Sequence, residues 1–292
     1  MRIAYELWDV FTDTALSGNP LAVVPDASGL DAAQMQRIAS EFNLSETSFV
    51  LPSSVADVRA RYFTPARELP MAGHPSVGTV YALHAAGRLQ GAEASLELGV
   101  GVVPMTLELA GDTLQRVWMN QGVPRLVETC SERRKVATAL GLEVQDLVDT
   151  LPLQVISAGV PYLLVPVDSL ALLAKASLNL SLLPEVLPPE HRAVFVFTFD
   201  APDSDVRCRM FGEALGVRED PATGSVHGPL GWYLATHELL EAPGGEMHAV
   251  SHQGVEMGRP SELHLRVTQT PPGWGVEVGG QAVKIGEGRL YL

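Results

Sequence analysis

The stretch Asp220-Pro-Ala-Thr-Gly-Ser-Val-His-Gly228 is a loop of small and polar residues that leads into a helix start. An extended run, Val206-Arg-Cys-Arg-Met-Phe211, precedes it, and a run typical of a helix, Gly228 to Leu240, follows it. Backbone N–H groups at a helix start have no partner within the helix and carry partial positive charge. Glycine lets a ligand approach these groups, and Thr223 or Ser225 could cap the helix or contact that ligand. The stretch therefore predicts either an ordinary capped helix or an anion site at a helix start.

The composition is that of an ordinary globular protein with enough apolar material for real cores. Of its 292 residues, 46 % are hydrophobic and 18 % are charged, and the length suggests one large or two medium domains. The formal net charge is −14, so the surface repels nucleic acid and anionic lipid, and neither is an expected partner. A small anionic substrate stays possible, because it can bind at a local positive site.

The two cysteines and the N-terminal segment bear on the compartment. Cys130 and Cys208 form no CxxC pattern and have no metal-type spacing, which fits a reducing compartment. Residues 1–9 contain an acid and no apolar core of signal length, and no apolar stretch is long enough to span a bilayer. We expect a cytoplasmic protein.

Hydrophobic periodicity predicts helices between several strands. A helix capped by Asp31 is predicted to Phe42, a second from about Gly73 to His84, and two more over 131–140 and 170–180. Residues 122–127 are interpreted as a connection between two halves, and 187–189 as a loop. Strands are predicted at 2–11, 21–24, 48–52, 58–63, 94–98, 102–109, 114–120, 155–156, 162–167, 193–199, 206–211, 263–268, 275–278, 282–285 and 289–292.

Three segments of the first half recur, in the same order, in the second half. Ser17-Gly-Asn-Pro-Leu-Ala-Val-Val24 matches Ala158-Gly-Val-Pro-Tyr-Leu-Leu-Val165, Arg61-Tyr-Phe63 matches Arg209-Met-Phe211, and Gly73-His74 matches Gly224-Ser225. The distance between matched segments rises slowly, as insertions in a duplicated domain would make it. Chance similarity of strand–turn–strand patterns is the alternative.

A duplication predicts two similar domains, over residues 1–122 and 123–292, with the last strand free to return to the first domain. Each domain would offer one glycine-led helix start, at Gly73 and at Gly224. A cleft between domains is a common place for a small-molecule site, and two helix N-termini meeting there would hold a carboxylate.

The sequence offers little support for a cofactor or a metal. Gly99-Val-Gly-Val-Val-Pro104 lacks the third glycine of a dinucleotide fingerprint, and neither a P-loop nor an HExxH motif is present. The three lysines, Lys135, Lys175 and Lys284, lie away from the glycine loops, which argues against a Schiff base to pyridoxal phosphate. We therefore expect neither cofactor nor metal.

Acid–base chemistry by side chains is what remains, with Glu46, His74, Asp220 and Ser225 as candidates. Each also has an ordinary structural interpretation, such as a solvated loop glutamate, a helix cap or an Asp-Pro turn. A Ser-His-Asp hydrolase is possible from these residue types, but no G-x-S-x-G elbow surrounds Ser225. His227 is interpreted as a packing residue.

The sequence closely resembles the PhzF-like isomerases of phenazine biosynthesis over nearly its whole length. The matching segments are Asp9-Val-Phe-Thr12, Ser17 to Val24, Asn43-Leu-Ser-Glu-Thr47, Arg61-Tyr-Phe-Thr-Pro65, Glu68-Leu-Pro-Met-Ala-Gly-His-Pro75, Gly212-Glu213, Glu219 to Pro229, Gln253-Gly254 and Met257-Gly-Arg-Pro-Ser261.

The resemblance implies a diaminopimelate-epimerase-like α+β fold of two pseudo-repeated domains, each a mixed β-sheet curled around a central α-helix. It also implies a homodimer and a cofactor-independent isomerase that moves a proton on a small carboxylate-bearing substrate. By resemblance, Glu46 matches the catalytic general base, and His74 and Asp220 match other catalytic positions. Gly73, Gly224 and Ser225 are expected to bind the substrate carboxylate.

Two further functions stay open at this point. Epimerases and racemases of the same fold use two cysteines, but neither Cys130 nor Cys208 falls at a glycine loop, so an epimerase here would use Glu46 and a partner. A non-catalytic binding protein on the same scaffold is the third possibility, and the intact set of Glu46, His74, Asp220 and Ser225 argues against it.

Overall fold

The computed structural model describes residues 1–185, 188, 193–212, 217–271 and 273–292. In chain order, the helices and strands of these residues are β1 (Arg2–Val10), β2 (Asn19–Val24), α1 (Ala32–Phe42), β3 (Glu46–Leu51), β4 (Val58–Phe63), β5 (Glu68–Leu69), α2 (Gly73–Ala85), β6 (Glu93–Leu98), β7 (Gly101–Ala110), β8 (Thr113–Asn120), β9 (Arg125–Cys130), α3 (Arg133–Ala139), β10 (Leu153–Ser157), β11 (Pro161–Pro166), α4 (Leu170–Lys175), β12 (Val194–Thr198), β13 (Val206–Gly212), β14 (Val217–Asp220), α5 (Gly224–Thr236), β15 (Glu246–Gln253), β16 (Ser261–Thr270), β17 (Gly273–Gly280) and β18 (Ala282–Tyr291).

The chain folds into two units. The first unit comprises Met1–Asn120 with Gly279–Leu292, and the second comprises Gln121–Val278. The final segment belongs to the first unit because β18 pairs antiparallel with β1 along its length. Residues 1–122 and 123–292 as independent domains stay a prediction.

Both units are built on mixed sheets whose pairings follow the same order. In the first unit, β1–β2 is antiparallel, β2–β3 parallel, β3–β4 antiparallel, β4–β6 parallel and β6–β7 antiparallel. In the second unit, β10–β11 is antiparallel, β11–β12 parallel, β12–β13 antiparallel, β13–β15 parallel and β15–β16 antiparallel. The α+β class is confirmed, and the shared order supports the duplication, which stays a prediction.

One helix in each unit is buried along most of its length. Every residue of α2 from Gly73 to Leu83 is buried, and so are ten of the thirteen residues of α5. A helix that is apolar on all sides is stable only inside a core. Other helices cover the sheets from outside: α1 packs Met35 and Ile38 against Phe49 and Phe63.

An arginine–glutamate pair precedes each buried helix. The Arg61 guanidinium donates to both oxygens of Glu68 at 2.7 Å and lies over the Phe63 ring at 5.2 Å. Arg209 donates to both oxygens of Glu219 at 2.8 and 2.9 Å and lies over the Phe211 ring at 4.9 Å. The pairs attach β5 to β4 and β14 to β13, and so fix where the chain enters α2 and α5.

The structure confirms some helix boundaries and corrects others. Asp31 caps α1 in a capping box with Gln34, as predicted. Helix α5 begins at Gly224, the predicted glycine-led helix start, so the helical run includes the four residues before Gly228. The helix predicted over 170–180 ends at Lys175, since Ala176 adopts an extended backbone.

Four strands were not predicted from the sequence, one of which is the two-residue β5. Residues 122–127 are not simply a connection, because Arg125–Cys130 forms β9 and pairs antiparallel with β10. Strands β14 and β15 were missed. The predicted loop residues Leu187 and Pro189 and the motif residue Glu213 lie outside the described residues. Within the described part of the chain, no helix is both long and apolar enough to cross a membrane.

Candidate active site

The first cluster of candidate residues joins the start of β3 to the start of α2. Glu46 is the first residue of β3 and His74 the second residue of α2, and His74 Nε2 lies 3.4 Å from Glu46 Oε2. Side chains alternate along a strand, so Glu46 and Ser48 share a face. The Ser48 hydroxyl lies 2.7 Å from that of Thr79 on α2, which shows that this face is turned to the helix.

His74 is a neutral imidazole with a defined tautomer. It is buried, and this burial lowers the pKa of His74 to about 3. Asn19 Nδ2 lies 3.3 Å from His74 Nδ1, and Ser45 Oγ donates to Asn19 Oδ1 at 3.0 Å. Because an amide nitrogen only donates, Nδ1 accepts and the ring proton is on Nε2. His74 Nε2 therefore lies beside the Glu46 carboxylate without making a hydrogen bond to it.

The contact between Glu46 and His74 suits proton transfer at carbon. The Glu46 side chain is 16 % exposed, so a ligand can reach it. The 3.4 Å separation is longer than a usual N–H···O hydrogen bond, so the imidazole does not hold the carboxylate tightly. A carboxylate beside a neutral N–H donor can accept a proton from carbon while the donor stabilises charge nearby.

The second cluster lies around the start of α5. Asp220 ends β14 and is buried, and the Thr223 hydroxyl donates to Asp220 Oδ2 at 2.5 Å. The Ser225 hydroxyl lies 2.7 Å from the Tyr162 hydroxyl, which β11 supplies. Asp220 and Ser225 thus both lie at the start of α5.

The first turns of α2 and α5 are suited to an anion. The residue before Gly73 is Ala72, whose methyl group cannot cap the helix. The residue before Gly224 is Thr223, whose hydroxyl donates to Asp220 rather than accepting from the first turn. Thr223 therefore makes no side-chain cap, and the other role left open for it, contact with a ligand, stays a prediction. Helix starts without a side-chain cap are common binding places for carboxylate and phosphate groups.

The two cysteines and His227 are interior residues. Cys208 is fully buried in β13, and burial raises the pKa of its thiol to about 12. Burial also raises the pKa of the Cys130 thiol at the end of β9. His227 packs inside the second unit, with Nδ1 2.8 Å from the Thr223 carbonyl oxygen and Nε2 3.0 Å from Ser251 Oγ. Among the residues that the structure describes, no three His, Cys, Asp or Glu side chains group as a metal site.

Sequence reasoning missed three residues that contact the candidates, Asn19, Tyr162 and Gln253, and a fourth, Ser45, that donates to Asn19. A signal existed for two of them, because Asn19 and Tyr162 lie in the repeated segments Ser17–Val24 and Ala158–Val165. Gln253 lies in a motif that was noted without a role.

Comparison with known proteins places this geometry in a family. The profile of the phenazine biosynthesis-like protein family matches residues 8–288. A Pseudomonas aeruginosa protein named trans-2,3-dihydro-3-hydroxyanthranilate isomerase is 38 % identical over 305 residues, covering 99 % of both chains. A solved structure of a PhzF-family phenazine biosynthesis protein from Bacillus anthracis matches with a TM-score of 0.92 and 32 % identity, covering 100 % of both chains.

The fold extends to more distant proteins. A probable proline racemase from Agrobacterium radiobacter shares it with a TM-score of 0.62 and 16 % identity, over 99 % of this chain and 93 % of that one. At this identity, the likeness concerns the fold alone. The match of the family profile and the two closer relatives decides the assignment: this chain belongs to the phenazine biosynthesis-like family and is an isomerase.

Proposed function

We propose that this isomerase works without a cofactor and moves a proton between two carbons of a small carboxylate-bearing substrate. The observation that carries the proposal is the contact between the neutral, buried His74 and the partly exposed Glu46 carboxylate, in which Nε2 lies 3.4 Å from Oε2. Glu46 removes a proton from a substrate carbon, and the electron pair left behind delocalises over the substrate. Glu46 then returns a proton at a different carbon, so the sequence is balanced without an oxidant or reductant.

Glu46 carries the base role in this proposal, and a positioned acid–base group contributes a rate factor of roughly 10²–10⁴. His74 and Asp220 orient a hydroxyl or amino group of the substrate and steer the proton. The backbone N–H groups at Gly73, Gly224 and Ser225 are the proposed partners of the carboxylate, because their helix starts carry partial positive charge.

The first substrate to test is the compound in the name of the Pseudomonas aeruginosa relative, trans-2,3-dihydro-3-hydroxyanthranilate. Its carboxylate, amino and hydroxyl groups are the kinds of group that backbone N–H donors and side-chain carboxylates bind. The family resemblance also supports a homodimer, which sedimentation of the purified protein would test.

An epimerase is the second candidate, because a solved Pseudomonas aeruginosa structure described as a predicted epimerase is 34 % identical over 99 % of both chains, with a TM-score of 0.83. The two functions differ in where the proton returns. The proposed isomerisation moves a double bond, whereas an epimerisation inverts one stereocentre and leaves the double bonds in place.

The experiment is to incubate the purified protein with this compound in D₂O and follow it by NMR. The proposal expects rearranged ring double bonds and one deuterium at a new carbon. Inversion at one carbon without a double-bond shift would support the epimerase instead. An unchanged compound that takes up no deuterium would overturn the proposed substrate.

A further inference from the structure

The dipeptide Gln253-Gly254 packs against the turn that contains Asp220. Gln253 ends β15 and its side chain is fully buried. The turn runs from Asp220 to Thr223, directly before α5. Two independent contacts join the dipeptide to the turn, one by the Gln253 amide and one by the Gly254 backbone.

The Gln253 amide makes three hydrogen bonds to the turn. Its Oε1 accepts from the Thr223 backbone N–H at 3.1 Å, and its Nε2 donates to the Asp220 carbonyl oxygen at 2.7 Å. A backbone N–H only donates and a carbonyl only accepts, so these partners determine the orientation of the amide. Nε2 also lies 3.1 Å from Thr223 Oγ1 and therefore donates to it.

The direction of the next hydrogen bond follows from this orientation. Since Thr223 Oγ1 accepts from Gln253, its own proton goes to Asp220 Oδ2, 2.5 Å away. A relay thus runs from the Gln253 amide through the Thr223 hydroxyl to one oxygen of the Asp220 carboxylate. The Thr223 carbonyl accepts from His227 Nδ1 at 2.8 Å, so every polar group of Thr223 has a partner.

Gly254 makes the second contact with the turn. It has φ +76°, and an added Cβ would lie 2.5 Å from the Pro221 carbonyl oxygen. The first unit has a similar contact, because a Cβ added to Gly99 would lie 2.9 Å from Pro70 Cα, just before α2. A glycine packed on the proline of the turn is therefore common to both units.

The polar relay, however, belongs to the turn of the second unit, which contains Asp220. The residue before Pro221 is Asp220 and the residue before Gly254 is Gln253, whereas the residues before Pro70 and Gly99 are leucines, Leu69 and Leu98. The first unit makes its turn with an apolar side chain in the place of the buried amide. Because a buried polar group is costly unless all its bonds are made, the amide is not what this turn needs for folding.

We infer that Gln253 is a positioning residue for the reaction: through Thr223 it aims an O–H group at Asp220 Oδ2 and holds that carboxylate as an acceptor beside the start of α5. The inference rests on the proposed function, in which Asp220 orients the substrate. Gln253 itself acts through Thr223.

The test is Gln253→Glu, which keeps the size of the side chain and replaces its N–H donor with an acceptor. At neutral pH the introduced carboxylate draws the Thr223 proton away from Asp220. We expect kcat for trans-2,3-dihydro-3-hydroxyanthranilate to fall about tenfold or more, because a hydrogen bond to a charged group is stronger than one between neutral groups. Lowering the pH protonates the introduced group and restores a donor, so the ratio of variant to wild-type kcat rises toward acid.

Gln154→Glu is the matched control. Gln154 is also buried in the second unit, and its Oε1 lies 2.9 Å from His237 Nε2 near the other end of α5. This variant should change the free energy of unfolding and leave the kcat ratio constant with pH. A Gln253→Glu variant with wild-type kcat, or with a deficit equal at every pH, would overturn the positioning role.

Amide hydrogen exchange gives a readout that needs no substrate. Gln253→Leu removes all three hydrogen bonds, so peptides covering 220–226 should exchange faster than in wild type, and Gln154→Leu should leave them unchanged. If wild type does not turn over the compound, the proposed substrate fails while the exchange result still decides the inference. Unchanged exchange at 220–226 in Gln253→Leu would overturn it.

Discussion

His74 Nε2 lies 3.4 Å from Glu46 Oε2, across the contact between a buried helix and the strand beside it. The imidazole is neutral because burial lowers the pKa of His74 to about 3, and its Nδ1 is occupied by Asn19. A neutral imidazole beside a partly exposed carboxylate is not an ion pair, and the contact suits the proton transfer proposed for Glu46.

The two buried histidines should make the protein sensitive to acid. Burial lowers the pKa of His74 to about 3 and that of His227 to about 4, whereas unfolded histidines titrate near 6.5. Below pH 6.5 the unfolded state thus binds more protons, so the histidine contribution is fully present above that pH and is lost as pH falls toward 4. As the pH falls below 6.5, protonation of each histidine in the unfolded state should lower the free energy of unfolding by up to about 1.4 kcal/mol per pH unit.

Urea unfolding at pH 7.5, 6 and 5 measures this loss. His227→Gln should make the pH slope shallower, while replacing His248, whose side chain is 62 % exposed, should not. An equal slope in wild type and His227→Gln would contradict a neutral buried His227.

Tyr162→Phe should weaken substrate binding more than turnover. The Tyr162 hydroxyl lies 2.7 Å from Ser225 Oγ and orients it, and Ser225 is a proposed partner of the substrate carboxylate. Loss of this bond should raise KM about fivefold, since an intramolecular hydrogen bond contributes roughly 1 kcal/mol. Tyr233→Phe loses a similar bond, to the Pro152 carbonyl oxygen at 2.8 Å, and should leave KM unchanged. Equal KM values in the two variants would count against a role for Ser225.

The two arginine–glutamate pairs should differ in their contribution to stability. Arg209 is 10 % exposed and also donates to the carbonyl oxygens of Leu173, Ala174 and Ala176 at the end of α4. Arg209→Met leaves Glu219 and these carbonyls buried, so the free energy of unfolding should fall by about 3–5 kcal/mol. Arg61 pairs with a Glu68 side chain that is 42 % exposed, so Arg61→Met should cost about 1 kcal/mol or less. Chemical denaturation of both variants checks the difference, and equal losses would be the contrary result.

Much of the candidate site could be predicted because its residues lie in short, distinctive motifs. Glu46, His74, Asp220 and Ser225 were found in this way, and the structure joins Glu46 to His74. The sequence marked Asn19 by its repeated segment but not its contacts, because Asn19 and Ser45 meet only when β2 pairs with β3. Such contacts depend on register, which a single sequence leaves open.

The errors in the fold prediction have local causes. Strand β9 was read as a connection because most of its residues are exposed, which removes the apolar alternation that indicates a strand. Strand β15 was missed because polar residues such as Ser251 and Gln253 occupy buried positions. Ser251 and Gln253 form hydrogen bonds with His227 and Thr223 at the start of α5. Polar residues therefore stand where an apolar pattern would have indicated a buried strand.

Solvent hydrogen exchange by the Glu46→Gln variant shows whether Glu46 is the base that removes the substrate proton. The substitution keeps the size of the side chain but removes its ability to take up a proton as a carboxylate. With trans-2,3-dihydro-3-hydroxyanthranilate in D₂O, deuterium incorporation at carbon should fall by roughly 10²-fold or more, while KM and the unfolding midpoint change little. If Glu46→Gln incorporates deuterium as fast as wild type, Glu46 is not the base, and Asp220 becomes the carboxylate to test.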